Sequence, residues 1–320
     1  MNGCTRGDKP LISIVMAVYH PKLDWLAEQL DSLNGQTYPN LELIVCDDGP
    51  DAPVDEDFFP RHITVFPCQL VRNKKNLGSN KSFERLTGMA RGEYIAYCDQ
   101  DDVWLPEKVE RLFQYMVEKT ADLVCSDVSL IDDAGHVFAK GIAAARPRHV
   151  FREGLELAPY LIYRNFVIGC TMLVRAERAR AALPFAAHMV HDHYLAFYCA
   201  AHGAIGVCPG YLIRYRIHGG NQTGILARVF DRESYCNEHI MPFYQRVTEL
   251  QERFQLPELD QAKRWALARR KNALKMSGAI PALWRLRSVN LSTTLFELIA
   301  LRLPRPLFTL ALKLIQAGKL

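Results

Sequence analysis

Three aspartates fall within four positions of CDQDDVW (98–104): Asp99, Asp101 and Asp102. Asp99-Gln100-Asp101 sets two carboxylates on alternate residues. Hard oxygen donors of this kind suit Mg2+ or Mn2+, ions that keep part of their water shell. Alone, the triplet equally describes a solvated turn begun by Asp102. A second acidic pair, Asp47-Asp48, follows the run LELIVC in the same manner. Two acidic clusters, each at the end of an apolar run, therefore need a fold that brings such ends together.

Other candidates carry less specific chemistry. HMVHDHYLA holds His188, His191, Asp192 and His193. A zinc site is one reading, and with it a metal-dependent hydrolase. However, His191 and His193 are two apart and would leave a helix in different directions. A second reading has His191 or Asp192 capping a helix. A third has Asp192 as a general base at a helix start. In YRIHGGNQTG (215–224), His218 follows an apolar strand, and Arg214 and Arg216 could meet an anion. No GxGxxG follows the first apolar run, where AVYHPKLDW stands, and no GxxxxGK[ST] occurs. A dinucleotide dehydrogenase or P-loop enzyme would lack its phosphate loop. Bound phosphates would have to be neutralised by metal and by side chains such as Arg72, Lys74, Lys75 and Lys81 in RNKKNLGSNKS, a run that as a bland alternative is a solvated loop.

The elements that must position these groups are legible as alternating patterns. LISIVMAVYH reads as a buried parallel strand. DWLAEQLDSLNGQ has Trp25, Leu26, Leu30 and Leu33 at helical spacing, with Gly35 as its stop. LELIVCDDG, ITVFP and CQLVRN read as strands, NKSFERLTGMARG as a helix closed by Gly92, EYIAYCD as a strand and PEKVERLFQYMVEK as a helix. Strand–helix alternation predicts an open α/β sheet, in which ligands bind beyond the carboxyl ends of the strands. Downstream, DLVCSDVSLID reads as a strand, NFVIGCTMLVRAE (165–177) as a strand containing Gly169, and HDHYLAFYCAAHG as a helix. AIGVCPGYLIRYRIHGGNQTG reads as strand, turn, strand and loop, and residues 228–320 as amphipathic helices.

Bulk properties narrow the classes. The net charge of +4 gives no case for nucleic acid, but residues 261–320 hold twelve Lys or Arg against one acid, Glu297. The rest of the chain is therefore acidic, and the tail could lie on an anionic membrane surface or pack as an ordinary helical subdomain. Nine scattered cysteines without a CxxC pair point to free thiols and a reducing cytosol. The start MNGCTRGDKP lacks a signal-peptide core, and TTLFELIALRLPRPLFTLAL is interrupted by Arg302, Pro304, Arg305 and Pro306, against a simple membrane span.

Taken in order, SIVMAVYH, QTYPNLELIVCDDG, RNKKNLGSNKSFERLTGMARGEYIAYCDQDDVWLPEKVERL, NFVIGCTMLVRA, HDHYLAFYCAAHG and YRIHGGNQTG resemble a family-2 glycosyltransferase with the GT-A fold, close to rhamnosyltransferase-like enzymes of bacterial surface-polysaccharide assembly. The resemblance implies a GT-A domain over 10–225 and a basic helical extension over 226–320. It implies inverting transfer from a nucleotide-diphosphate sugar, dTDP-rhamnose first among the expected donors, to a glycan or lipid-linked glycan. The location implied is cytoplasmic, with a peripheral seat on the inner membrane face. Residue by residue, Ala17, Val18 and Tyr19 would line the base and Asp47 would hydrogen-bond it. Asn76, Gly78, Lys81, Asp99 and Gln100 would lie along the nucleotide. Asp101, with Asp102 and His218, would hold Mg2+ or Mn2+, and Asp192 would be the base. Pro50, His193 and Tyr194 depart from common family forms, which leaves the sugar open. A non-catalytic nucleotide-sugar-binding module is the other alternative.

Overall fold

The run at 12–18 is apolar on both faces but for Ser13, so it must be covered on both sides. It forms β1 (Ile12–Val18), the centre of a parallel group with β2 (Leu41–Asp47), β3 (Cys68–Arg72) and β4 (Tyr94–Cys98). The computed structural model describes residues 9–218 and 229–316. The chain divides into two compact units, Met1–Phe185 with Val190–His218, and Ala186–Met189 with Gly219–Leu320.

The first unit is a nine-stranded sheet in the order β3-β2-β1-β4-β8-β6-β9-β5, with β7 on β6. Its remaining strands are β5 (Val103–Trp104), β6 (Leu123–Ile131), β7 (Val137–Lys140), β8 (Leu173–Arg175) and β9 (Ile205–Arg216). β8 runs antiparallel between β4 and β6, whereas β6 and β9 are parallel. The helices are α1 (Leu23–Asn34), α2 (Phe58–His62), α3 (Ser79–Met89), α4 (Lys108–Lys119), α5 (Ala158–Leu161), α6 (Ala176–Ala181) and α7 (His191–His202). α1 buries Trp25, Leu26, Leu30 and Leu33 and ends at Gly35, as its spacing predicts. This is the α/β architecture the alternation calls for.

Four local readings change, the last of them at Gly92 below. ITVFP is not a strand, because Asn34 Oδ1 at the end of α1 accepts from the backbone of Thr64 and Val65 (2.9 and 3.2 Å) and holds that segment as a loop. The segment 165–177 is mostly irregular: a 3-10 turn at Gly169–Thr171 precedes the three-residue β8, and α6 begins at Ala176. The expected strand–turn–strand at 204–216 is one strand, β9, whose pairing skips from Cys208 to Tyr211 at a bulge around Pro209 and Gly210.

The second unit is helical: α8 (Arg232–Tyr235), a π turn (Cys236–Ile240), α9 (Met241–Arg253), α10 (Pro257–Ala273), α11 (Ala279–Arg285), α12 (Leu291–Ala300) and α13 (Arg305–Gln316). Val229, Tyr235, Ile240, Ala300, Leu301, Phe308 and Leu312 form its apolar cluster. No helix among the described residues is long and apolar enough to cross a membrane.

Gly92 does not close α3, which ends at Met89 with Ala90 as its cap. It lets the chain enter β4 against β1: a Cβ there would stand 2.6 Å from Leu11 O and 2.7 Å from Ser13 N. Its N–H meets Ser13 Oγ (2.8 Å), which itself donates to the buried Glu42 (2.6 Å). Gly92→Ala is expected to cost about 1–3 kcal/mol by overpacking, measured by urea unfolding.

Candidate active site

Because β1, β2 and β4 are parallel, the residues after them emerge at one edge of the sheet. Gln100 ties two of these ends, accepting from Tyr19 N (2.8 Å) and donating to Tyr19 O (3.2 Å). Val18 is buried, Ala17 half-buried, and the exposed Tyr19 ring stacks on His20 at 4.1 Å between centroids. Asp47 is buried and organises its own loop, accepting from Gly49 N (3.0 Å) and Val54 N (2.9 Å). Asp48 reaches the next loop and accepts from Asn73 Nδ2 (2.7 Å), Leu77 N (2.8 Å) and Gly78 N (2.7 Å). Asn76 Oδ1 shares the Gly78 N–H (2.9 Å), and Gly78 takes φ +80°, a conformation only glycine adopts cheaply. Lys81 is exposed and paired with Glu84 at 2.8 Å.

The second strand end is a crowd of carboxylates. Oxygens of Asp99 and Asp102 and the Cys170 Sγ lie within 4.8 Å of one another. Burial, then Asp101 and Asp192, push the Asp99 carboxyl up to about 7. Burial, then Asp101 and Asp99, hold Asp102 well above the usual carboxylate range. Asp102 is 1 % exposed, and its Oδ1 accepts from Arg216 N at 2.9 Å. Asp101 is half-buried and pairs with His218 Nε2 at 2.8 Å. Beneath them Lys108 is buried, donates to Cys170 O (2.6 Å) and sits 2.9 Å from the Trp104 ring centre; burial lowers its ammonium to about 7.

Arg216 is not an anion receptor but a tie. At 1 % exposure its guanidinium donates to Asp101 O (2.9 Å), Asp132 O (3.0 Å), Asp133 O (3.1 Å) and Glu28 Oε2 (2.5 Å). Arg214 is exposed. His218 packs against Trp25, 5.2 Å between ring centroids. Residues 219–224 of the expected loop motif lie outside the described residues.

α7 begins after Val190, so neither His191 nor Asp192 is its N-cap. Asp192 accepts from the backbone of His193 and Gly169, with Asn165 and Arg146 nearby; burial is the largest influence and pushes its carboxyl up to about 6. It is close enough to Asp99 to raise that group, which joins it to the acidic cluster. The histidines around it do not converge. His191 stacks on Phe83 (4.1 Å) and is held neutral by burial, its pKa pushed down to about 3. His193 Nε2 meets Leu161 O at 2.6 Å, and the exposed His188 belongs to the second unit. The His188/His191/Asp192/His193 metal site of a hydrolase is therefore not formed.

Cys170 and Lys108 are residues that reading the sequence missed as parts of this site, and Arg216 was noticed there only as a possible anion contact. Each looks ordinary in line: a cysteine in an apolar run, a lysine in a helix start, an arginine in a strand. Gly169 carried a usable signal, since a Cβ there would come 3.1 Å from His191 Nε2 and 3.4 Å from Asp192 Cβ. The donor set suits a hard divalent cation. Carboxylates crowded enough to hold a proton near neutrality are those whose repulsion a cation would discharge.

A profile of the family described as Glycosyl transferase family 2 matches residues 13–180. An uncharacterised glycosyltransferase of Methanocaldococcus jannaschii is 27% identical over 234 residues, covering 71% of this chain and 77% of that protein. The Escherichia coli UDP-Glc:alpha-D-GlcNAc-diphosphoundecaprenol beta-1,3-glucosyltransferase WfgD is 27% identical over 190 residues, 59% of this chain and 69% of its own length. Among solved structures, residues 1–349 of Staphylococcus aureus TarS in complex with UDP-GlcNAc superpose with a TM-score of 0.64 at 15% identity, covering 96% of this chain and 92% of that one.

Removing the Arg216 side chain should loosen the loops around Asp101. Arg216→Met is expected to cost about 2–4 kcal/mol, because buried carbonyls lose charged donors. Equilibrium unfolding in urea measures it.

Proposed function

The chain belongs to glycosyl transferase family 2, and from that premise we propose an inverting transfer of a sugar from a pyrimidine nucleoside diphosphate to a glycan or lipid-linked glycan of a bacterial surface polysaccharide. The observation that carries the proposal is the convergence of Asp99, Asp101 and Asp192, the last drawn in from α7 by the Gly169 turn. The printed names of relatives favour this substrate class. WfgD is named for UDP-Glc and a diphosphoundecaprenol acceptor, and TarS was captured with UDP-GlcNAc. dTDP-rhamnose, the donor expected from the sequence, shares the pyrimidine ring and diphosphate, so both belong in a donor screen.

In this reading the base lies against Ala17–Tyr19 and the loop shaped by Asp47, with Asn76, Gly78 and Lys81 on the nucleotide's flank and Gln100 fixing the ledge. Asp99 faces the ribose side. Asp101 and His218, with Asp102 behind them, would hold Mg2+ or Mn2+, which when bound neutralises the diphosphate. Asp192 takes the proton of the acceptor hydroxyl. The acceptor oxygen forms its bond to the anomeric carbon from the face opposite the leaving group. The glycosidic C–O bond to phosphate breaks, and its electron pair leaves with the nucleoside diphosphate. In this reading a nucleotide-sugar donor and a lipid-linked acceptor would meet in the cytoplasm, at the inner face of the cytoplasmic membrane.

Asp192 must be ionised to act, and its carboxyl is raised to about 6, so kcat/KM is expected to climb with pH through that value and level off above it. Asp192→Asn should lower kcat by about 10²–10⁴-fold and remove the rising limb, with donor KM little changed. Nucleotide release across pH 5 to 8 tests both; near-normal turnover by the variant would defeat the assignment.

A further inference from the structure

We infer that α11, α12 and α13 of the second unit present a docking face for an anionic lipid surface; the inference deepens the membrane-side reading above and rests on it. α12 is built inside out. Thr294, Glu297 and Ala300 are its buried residues, whereas Leu291, Leu295 and Ile299, spaced i, i+4, i+8, are 53%, 39% and 61% exposed. A helix on a water-soluble unit normally does the reverse.

The inversion is locked by the polar interior. Arg269 Nε donates to both Glu297 oxygens (2.9 and 3.0 Å) and Nη2 to one of them (2.6 Å). Tyr235 OH donates to the same carboxylate (3.0 Å), and Trp265 Nε1 to Thr294 Oγ1 (3.0 Å). Rolling α12 to bury its leucines would leave a buried ion pair broken, which is far more costly than exposing the stripe. Neighbouring helices continue the pattern. α11 packs on α10 and α12 and buries Leu283 while exposing Ile280 and Trp284. α13 buries Phe308 and Leu312 while exposing Leu307 and Leu310.

Charge selects the occupant. Glu297 is the one acid between 261 and 320, and it is consumed by Arg269, so no acid of that segment faces outward. Arg285, Arg287, Arg302 and Arg305 are exposed around the stripes, with Arg287 stacked on Trp284 at 4.6 Å. A recess of about 440 Å³ beside α11 joins Lys275 and Arg302 to the apolar Met276 and Ile280, a lining suited to a phosphate headgroup above acyl chains. A second copy would set the same cations against each other. Helices of this character lie in the plane of a negatively charged interface rather than crossing it.

The test is flotation of the full-length protein with vesicles of phosphatidylcholine alone or with about 30% phosphatidylglycerol added, a charge density typical of such surfaces. Binding to the anionic vesicles is expected to exceed the neutral ones by at least about tenfold and to weaken in high salt. Leu295→Glu with Ile299→Glu, and separately Arg285→Glu with Arg287→Glu, should each reduce it about tenfold while thermal unfolding stays unchanged. A wild-type protein that ignores anionic vesicles, or a Leu295/Ile299 variant that floats like wild type, overturns the inference. So does light scattering that finds a dimer split by that variant without vesicle binding. Nucleotide release from donor in solution, run in parallel, separates the two readings. Turnover without flotation removes only the docking face, and flotation without turnover removes the transferase mechanism.

Discussion

The guanidinium of Arg216 ties together the segments that border the acidic crevice. It holds the carbonyl of Asp101 after β4, those of Asp132 and Asp133 in the β6–β7 turn, and the carboxylate of Glu28 on α1. A buried charge persists only where every donor is satisfied, so this one dictates where its partners stand. Its own N–H fixes Asp102, and two residues further along the chain His218 is delivered to Asp101. Lys108 supplies the second interior cation beside Cys170, Asp99 and Asp102. Together they offset part of the mutual repulsion of three carboxyl groups within four residues at a strand end. Burial, with Asp101 and Asp192, still holds the Asp99 carboxyl up to about 7 beside Lys108, a repulsion that a bound cation would relieve.

Much of this was legible in line because strand ends are local features. The apolar runs at 12–18, 41–47 and 94–98 announce parallel strands, and the acids that follow them announce the edge where they meet. The family resemblance of the ordered motifs is matched by the family profile over 13–180. What escaped was non-local. Nothing in NFVIGCTMLVRAE says that a 3-10 turn at Gly169 will replace half the strand, since the cause is the packing of that turn against His191 and Asp192. Arg216 alternates correctly for a strand, so its role depends on Asp132 and Glu28, far away in sequence. The spacing of His191 and His193 already spoke against a shared metal, and in space they are an aromatic stack and a carbonyl partner.

The two units use buried charge in different ways. In the first, acids gather at a sheet edge and remain partly available to a ligand. In the second, Glu297 and Arg269 neutralise each other completely, and their consequence is felt on the opposite side of α12, where leucines are left outside. Two of the three buried residues of α12 are polar while its exposed stripe is apolar, an uncommon arrangement in a segment whose composition alone reads as a core helix. Only the ion pair across 28 residues of sequence explains why it is turned around.

The central claim is that the carboxylates at the β4 end exist to take a divalent ion onto a nucleotide diphosphate. Its most direct test is titration of Mn2+ into the protein with UDP present, followed by loss of the free-ion paramagnetic resonance signal. The account predicts about one ion taken up per chain, far more weakly in the absence of UDP, and loss of that uptake in Asp101→Asn. Uptake undiminished in Asp101→Asn, or none in the wild type with nucleotide bound, would contradict it.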